Sequence, residues 1–362
     1  MSDEFFMRKA LKLARKGRGW TSPNPLVGAV IVKDGHIVGE GYHKRFGEDH
    51  AEINAINNAH GSIAGATLYV TLEPCSHYGK TPPCVDRIIN EKLSRVVIGV
   101  TDPNPLVAGR GIAMLQDQGI KTTVGILEQS CRELNEAFFK YMITKIPFVT
   151  VKYAQTVDGR IATSTGHSRW ISSQPSRKYA HRLRSYHDGI LVGVKTVLND
   201  DPELTVRLVK GKNPLRIIVD STLQLPVTAK ILTNQNKAQT IVATTSRCRS
   251  EKRALLREMD IETLIIDEDG EGHVDLQKLI VELGKRGISS ILAEGGSEII
   301  TSLVKEKIPD RLLIITAPKI AGKGIEAIGN LGIETMDESV RLIFKKVFRK
   351  GNDVVFDARI ER

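Results

Sequence analysis

Three metal-binding residues, with a carboxylate beside the first, constrain this chain more than its bulk composition does. His50-Ala51-Glu52 is followed by Pro74-Cys75 and then by Cys84. One imidazole and two thiolates make a three-ligand zinc site with a fourth, tetrahedral position left for water. Zinc lowers the pKa of such a water to about 7. Glu52, two residues after the histidine, is free to carry protons instead of binding metal. A lone His-x-Glu would read as a buried structural histidine, but two cysteines following in this order weaken that reading. A purely structural zinc would take a fourth protein ligand, and His77 is available for that part.

The fold must therefore bring position 50 to positions 75 and 84, and the local pattern predicts how. Residues 26–32 and 36–42 are β-rich runs joined at Lys33-Asp34-Gly35, a hairpin signal. A helix from about His50, a strand near 67–72, a helix from about Pro83 and a strand near 95–101 follow. Then come a helix near 110–118, a strand near 121–126 and a helix near 129–142. A hairpin leading into αβ units predicts a mixed sheet with helices on both faces. His50 and Glu52 open one helix. Cys84 follows Pro82-Pro83 at the start of another, where the positive end of the helix dipole favours thiolate.

At Lys145-Ile146-Pro147 the alternation pauses, and Phe148-Val149-Thr150-Val151-Lys152 begins a new strand. Two domains are expected, 1–146 and 147–362, which suits a chain of 362 residues. The second half alternates again, with strands near 189–193, 215–220, 239–244, 263–266 and 290–293. A closing pair of strands is expected over about 338–360, turning at Lys350-Gly351-Asn352-Asp353. No G-x-G-x-x-G occurs in this half, so a Rossmann dinucleotide fold has no support. The run Ser290 to Ser297, with Gly295-Gly296 between strand and helix, would let backbone N–H groups approach a phosphate. Gly189 to Pro202 is a second strand entering a polar segment.

The net charge of +10 would suit an anionic partner, either RNA or a phosphorylated small molecule. The basic residues form no long run and no aromatic-interleaved stripe of the kind single-strand binders use. Four cysteines in so long a chain do not make a disulfide framework, which points to a reducing cytoplasm. Met1 to Trp20 mixes charges with Phe5, Phe6, Leu11 and Leu13, as an amphipathic helix does and a secretory signal does not. No stretch reaches the roughly 18 apolar residues of a membrane span. Cys131 and Cys248 receive no role.

The order His-x-Glu, Pro-Cys, Cys resembles that of zinc nucleobase deaminases, except that eight residues instead of two separate the cysteines. The string Thr71-Leu72-Glu73-Pro74-Cys75-Ser76-His77-Tyr78-Gly79-Lys80-Thr81-Pro82-Pro83-Cys84 narrows the match. So do Ser22-Pro23-Asn24-Pro25-Leu26-Val27-Gly28-Ala29-Val30, His43, Asp102-Pro103-Asn104-Pro105 and Gly109-Arg110-Gly111. Over essentially its whole length the chain resembles the bifunctional bacterial diaminohydroxyphosphoribosylaminopyrimidine deaminase / 5-amino-6-(5-phosphoribosylamino)uracil reductase family of riboflavin biosynthesis.

That resemblance implies a cytidine-deaminase-like first domain and a dihydrofolate-reductase-like second domain that uses NADPH. It implies that Asn24, His43, His77, Lys80, Asp102 and Asn104 hold a phosphoribosylaminopyrimidine. It places Ala154, Trp170, Thr196, Asp200, the 296–302 turn with Gly296 and Ser297, and Ser221 more weakly, at the cofactor. Ser168, Arg184, Leu204, Arg207 and Glu294 fall at the second substrate, with the two arginines as phosphate clamps. Lys152 and Asp200 are the candidates for proton transfer during reduction. A 2′-phosphate site near Thr244, Thr245, Ser246 and Arg247 is a further expectation, as is a homo-oligomer. The competing classes are a nucleic-acid-editing deaminase with a basic accessory domain and a non-catalytic zinc-binding scaffold.

Overall fold

The computed structural model describes residues 1–78, 82–104 and 107–361. They form two compact units, Met1–Lys145 and Ile146–Arg362. In the first, β1 (Gly28–Lys33) and β2 (His36–Tyr42) make the expected hairpin. β3 (Thr67–Val70) lies antiparallel on the other side of β1. β4 (Arg95–Ile98) and β5 (Lys121–Val124) then continue in parallel, giving the order β2-β1-β3-β4-β5.

β1, β3 and β4 are buried along nearly their whole length, as expected of strands covered on both faces. Helix Asp3–Ala14 buries Phe6, Met7, Ala10 and Leu11 in the same core. Helix Ala51–Asn57 packs directly on the hairpin because Gly41 has no side chain; a Cβ there would lie 2.3 Å from the Ala51 carbonyl oxygen. The single helix expected over 129–142 is instead two, Glu128–Leu134 and Glu136–Thr144. They break at Asn135, whose side chain accepts from the Leu26 N–H (2.8 Å) and donates to the Leu26 carbonyl (2.9 Å). A side chain that takes both backbone bonds of a distant residue acts as a short piece of ladder, and the helix axis bends to allow it.

The second unit is built on β6 (Phe148–Thr156), β8 (Gly189–Gly193), β9 (Leu215–Val219), β10 (Thr240–Thr244), β11 (Glu262–Ile265), β12 (Ser290–Ala293) and β13 (Arg311–Ala317). All seven run parallel. β16 (Asp353–Ile360) and β15 (Leu342–Lys350) close one edge antiparallel, so the order is β11-β10-β9-β8-β12-β6-β13-β16-β15. β7 (Arg160–Thr163) and β14 (Gly324–Glu326) pair apart from this sheet. β7, β13 and β14 were not expected from the sequence pattern. Because the seven central strands are parallel, their carboxyl ends share one rim, where ligands bind in open α/β sheets. The loops after β8, β9, β10 and β12 all lie on it.

Candidate active sites

In the first unit His50 is the N-cap of helix Ala51–Asn57, and Cys84 is the first residue of helix Cys84–Asn90. Cys75 lies in the turn that follows β3. The Cys84 backbone N–H donates to Cys75 Sγ at 3.3 Å, as a helix N-terminus facing thiolate should. His50 Nδ1 stands 3.5 Å from Cys75 Sγ and 3.3 Å from Cys84 Sγ. All three donor atoms fall within 4.8 Å of one another. Zinc–nitrogen bonds near 2.0 Å and zinc–sulfur bonds near 2.3 Å at tetrahedral angles put the donors about 3.5 Å apart. The two nitrogen–sulfur spacings therefore suit a shared zinc. Among the described residues the convergent set is these three, without His77.

The charges in the cluster also suit a cation. The Cys84 thiol hydrogen-bonds Cys75 and, with His50, pulls the Cys75 thiol down to about 4, while Cys84 is pushed well up. Its bond to Cys75 raises His50 to about 9 against the effect of burial. These protons would be displaced when a divalent metal binds. Glu52 is 3 % exposed and its Oε2 has no hydrogen-bond partner. Burial raises its pKa to about 7, with the neighbouring His50 opposing. A carboxylic acid poised there can both take and return a proton at neutral pH.

Asn24 and His43 join this cluster. Asn24 Nδ2 lies 3.2 Å from His43 Nε2, and His43 Nδ1 lies 3.1 Å from the Asp49 carbonyl oxygen. A carbonyl can only accept, so Nδ1 carries the proton and Nε2 receives the amide N–H. Burial lowers the pKa of His43, consistent with this neutral form. Its ring stands edge-on to His50, 5.3 Å between centroids.

Asp102 follows β4. Burial raises its pKa to about 6, against the Asn104 N–H that donates to its Oδ1 at 2.8 Å. His77 is exposed and its charge acts on Asp102. Lys80 lies outside the described residues. Glu73 carried no role in the sequence reading. Its carboxylate accepts the backbone N–H groups of Asp102 and Gly109, a pairing that no side-chain motif could reveal.

In the second unit, register alone places one cluster. Ala293 pairs with Val151, so Glu294 falls beside Lys152, and Lys152 Nζ lies 3.3 Å from Glu294 Oε2. Arg184 reaches the same carboxylate with Nε at 2.9 Å and Nη2 at 3.0 Å, while its Nη1 donates to the Thr205 carbonyl at 3.2 Å. Burial alone would raise the pKa of Glu294, but Arg184 and Lys152 outweigh it and hold the carboxyl well below the usual range. Arg184, expected as an open phosphate clamp, thus has its fork closed on Glu294.

Arg207 is half exposed; its Nη1 bonds Glu203 (3.1 Å) and Thr205 Oγ1 (3.1 Å). Its backbone N–H donates to His181 Nδ1 at 3.0 Å. Leu204, expected at the substrate, has its side chain in an apolar cluster with Val197 and Leu223. Its φ of +52° puts its backbone in the left-handed region. Ser168 is half-buried in the segment after β7.

At the expected cofactor site, the turns after β8 and β12 are tied together by the Gly296 N–H, which donates to Thr196 Oγ1 at 3.1 Å. Helix Ser297–Lys305 has no side-chain cap, and a Cβ on Gly296 would meet only Thr196 Oγ1, at 3.6 Å. With the Gly296 N–H taken by Thr196, it is the uncapped first turn of helix Ser297–Lys305 that fits a dinucleotide phosphate. Ala154 is half-buried on β6. Trp170 is 62 % exposed, with the Arg177 guanidinium 4.3 Å from its ring centroid, so it is not a core tryptophan.

Other expected residues are engaged elsewhere. Asp200 is exposed at the end of helix Val194–Asp200, and Lys152 pairs with Glu294 instead of with it. Ser221 Oγ accepts the Val274 N–H (3.1 Å), and its carbonyl takes both the Thr244 and Thr245 hydroxyls. Those two threonines are buried, which leaves exposed Ser246 and Arg247 of the expected 2′-phosphate group, with Arg247 Nε 2.9 Å from Glu268. All four cysteines are free thiols, including Cys131 and Cys248.

A three-donor metal cluster with a buried acid, joined in one chain to a parallel-sheet unit with a glycine-lined anion cradle, defines a zinc-type deaminase fused to a reductase. The matches to known proteins agree with both halves. Residues 1–100 match the cytidine and deoxycytidylate deaminase zinc-binding region, and residues 147–356 match the RibD C-terminal domain. The riboflavin biosynthesis protein RibD of Aquifex aeolicus is 47 % identical over 354 residues, covering 98 % of this chain and 97 % of that one. The Escherichia coli RibD is 41 % identical, with 98 % of each chain covered. Two solved structures align over 99 % of both chains. Acinetobacter baumannii RibD does so at TM-score 0.89 and 34 % identity. The Thermotoga maritima diaminohydroxyphosphoribosylaminopyrimidine deaminase/5-amino-6-(5-phosphoribosylamino)uracil reductase does so at 0.87 and 37 %. The chain belongs to the RibD family.

Proposed function

We propose that His50, Cys75 and Cys84 hold the zinc of a pyrimidine deaminase in which Glu52 moves the protons. The chain is a bifunctional deaminase and reductase of riboflavin biosynthesis, and its cofactors are zinc and NADPH. The observation that carries the reading is the meeting of one imidazole and two thiols with a buried carboxylate whose Oε2 has no partner. Zinc, when bound, supplies an acidified water as the nucleophile. Glu52 holds the proton taken from that water at Oε2 and delivers it to the amine leaving the 2,5-diamino-6-(5-phosphoribosylamino)pyrimidin-4-one ring. Asn24 orients neutral His43 against the cluster, and with His77, Lys80, Asp102 and Asn104 they grip the pyrimidine and its phosphoribosyl group.

In the second unit NADPH supplies hydride to the sugar, taking ribosyl to ribityl. The Gly296–Ser297 turn, Thr196, Ala154 and Trp170 hold the cofactor, with Asp200 and Ser221 at its margin. Lys152, its ammonium fixed by Glu294, is the proton source. Ser168, the Leu204 backbone, Arg207 and the Arg184–Glu294 pair line the substrate side. The domain roles divide at residues 146/147. Four free thiols support a reducing cytoplasm, and the exposed Ile343, Phe344 and Val347 of edge strand β15 support a homo-oligomer. The small share of aromatic residues, 5 %, supports small-molecule substrates over nucleic acid.

The test is a coupled assay following ammonia and NADPH together on zinc-loaded protein. Ammonia release should precede NADPH oxidation. Chelation should stop the first while leaving the second intact when the deaminated substrate is supplied directly. Oxidation without prior ammonia release would reverse the proposed order. Ammonia release surviving full zinc removal would overturn the ligand assignment.

A further inference from the structure

Glu73 is 3 % exposed and sits two residues before Cys75. Its Oε2 accepts the N–H groups of Asp102 (3.2 Å) and Gly109 (3.1 Å), and its Oε1 those of Gly111 (3.1 Å) and Ile112 (3.4 Å). No side-chain cation pairs with it among the described residues. The whole charge is met by backbone dipoles at the entry to helix Arg110–Asp117. The approach is close because residue 111 is glycine; a Cβ there would lie 2.3 Å from the Pro74 carbonyl oxygen and 3.3 Å from Glu73 Oε1. Asp102, held by its own N–H, uses its side chain to fix the Asn104 N–H. One buried carboxylate thus fastens the turn that carries Cys75 to the loop that carries Asp102 and Asn104.

We propose that Glu73 is a positioning residue for deamination, setting Asp102 and Asn104 at a fixed distance from the Cys75 turn. It touches neither metal nor substrate. The inference rests on the reading that Asp102 meets the pyrimidine. Its chemistry makes an unusual demand: both oxygens must accept, two N–H groups each. Glutamine, the usual isostere, brings an NH₂ that faces two donors whichever way it is turned. Aspartate keeps both acceptors and loses only reach.

The experiment compares E73Q, E73D, G111A and D102N in the full chain, with zinc content and NADPH oxidation as controls. E73Q should keep zinc and reductase activity, raise the KM of deamination at least tenfold, and change kcat less than threefold. E73D should recover part of the loss, and G111A should move KM the same way without touching the charge. In the double variant E73Q/D102N the KM should match that of the worse single variant, since one residue acts through the other. Additive effects would overturn the inference, as would loss of zinc or of folded protein with an unchanged KM in the remaining fraction. A normal KM in E73Q beside a raised one in D102N sinks the inference and leaves the site reading standing. A normal KM in D102N removes Asp102 from the pyrimidine site and the coupling with it.

Discussion

Glu52 and Glu294 are both carboxylates taken almost wholly out of water, one in each unit, and they end in opposite states. Burial pushes the two in the same direction, toward the neutral acid. Around Glu52 the opposition comes from His50, with smaller help from the Glu52 backbone N–H and the Cys84 thiol; one oxygen has no partner, and the pKa settles at about 7. Around Glu294 two cations lie within 3.3 Å and the acid stays ionised. The number of buried cations, not the depth of burial, decides which carboxyl group titrates near neutrality and which stays ionised. The first unit leaves its glutamate poised near neutrality. The second uses its glutamate to lock an arginine and a lysine.

That contrast fixes what substitution should do. E52Q should lower ammonia release about 10²–10⁴-fold while zinc content, the unfolding midpoint and NADPH oxidation stay as they are. E294Q should do the reverse to stability. It leaves Arg184 and Lys152 buried without a counter-charge, at about 3–5 kcal/mol, read as a lower urea midpoint for the second unit. Equal stability losses in the two variants would erase the distinction.

His181 gives a smaller, pH-dependent handle on the same cluster. Burial, and then the charges of Arg184 and Arg207, depress its pKa to about 4, against about 6.5 in the unfolded chain. Folding therefore favours its neutral form. This stability is complete above pH 6.5 and is lost as pH falls toward 4, on the order of 2 kcal/mol. The melting temperature of the second unit should track that window, and H181Q should flatten it. The smallest effect belongs to Asp3 and Arg95, a pair 2.7 Å apart but about 30 % exposed; D3N should cost about 0–1 kcal/mol, less in high salt. A larger loss there would mean that surface pairs rival the buried triad.

The three donors that the structure brings together, and Glu52, were legible because their chemistry is carried by residue type and order, and the Cys84 helix starts where Pro82-Pro83 puts it. The parallel strands 189–193 and 290–293 were equally plain, each a short apolar run between polar turns. What could not be read depends on partners far apart in sequence. Glu73 binds backbone N–H groups 29 to 39 positions away, which no side-chain pattern marks. The closure of Arg184 on Glu294 spans 110 positions and hides what looked like an open phosphate clamp. β13 was legible in principle, since Pro309-Asp310 separates its apolar run from the preceding helix; the break at Asn135 was not, because its cause lies at Leu26.

Asn135 sets the minimum length of any separately expressed first unit. A truncation after β5 would keep every strand and every expected zinc ligand, yet it would strip both hydrogen bonds from Leu26. Leu26 is two residues from Asn24, whose amide orients His43. The two closing helices thus brace, through Asn135, the segment that carries Asn24. A gene fragment ending before codon 135 would encode all five strands of the first sheet and leave both Leu26 bonds unmade.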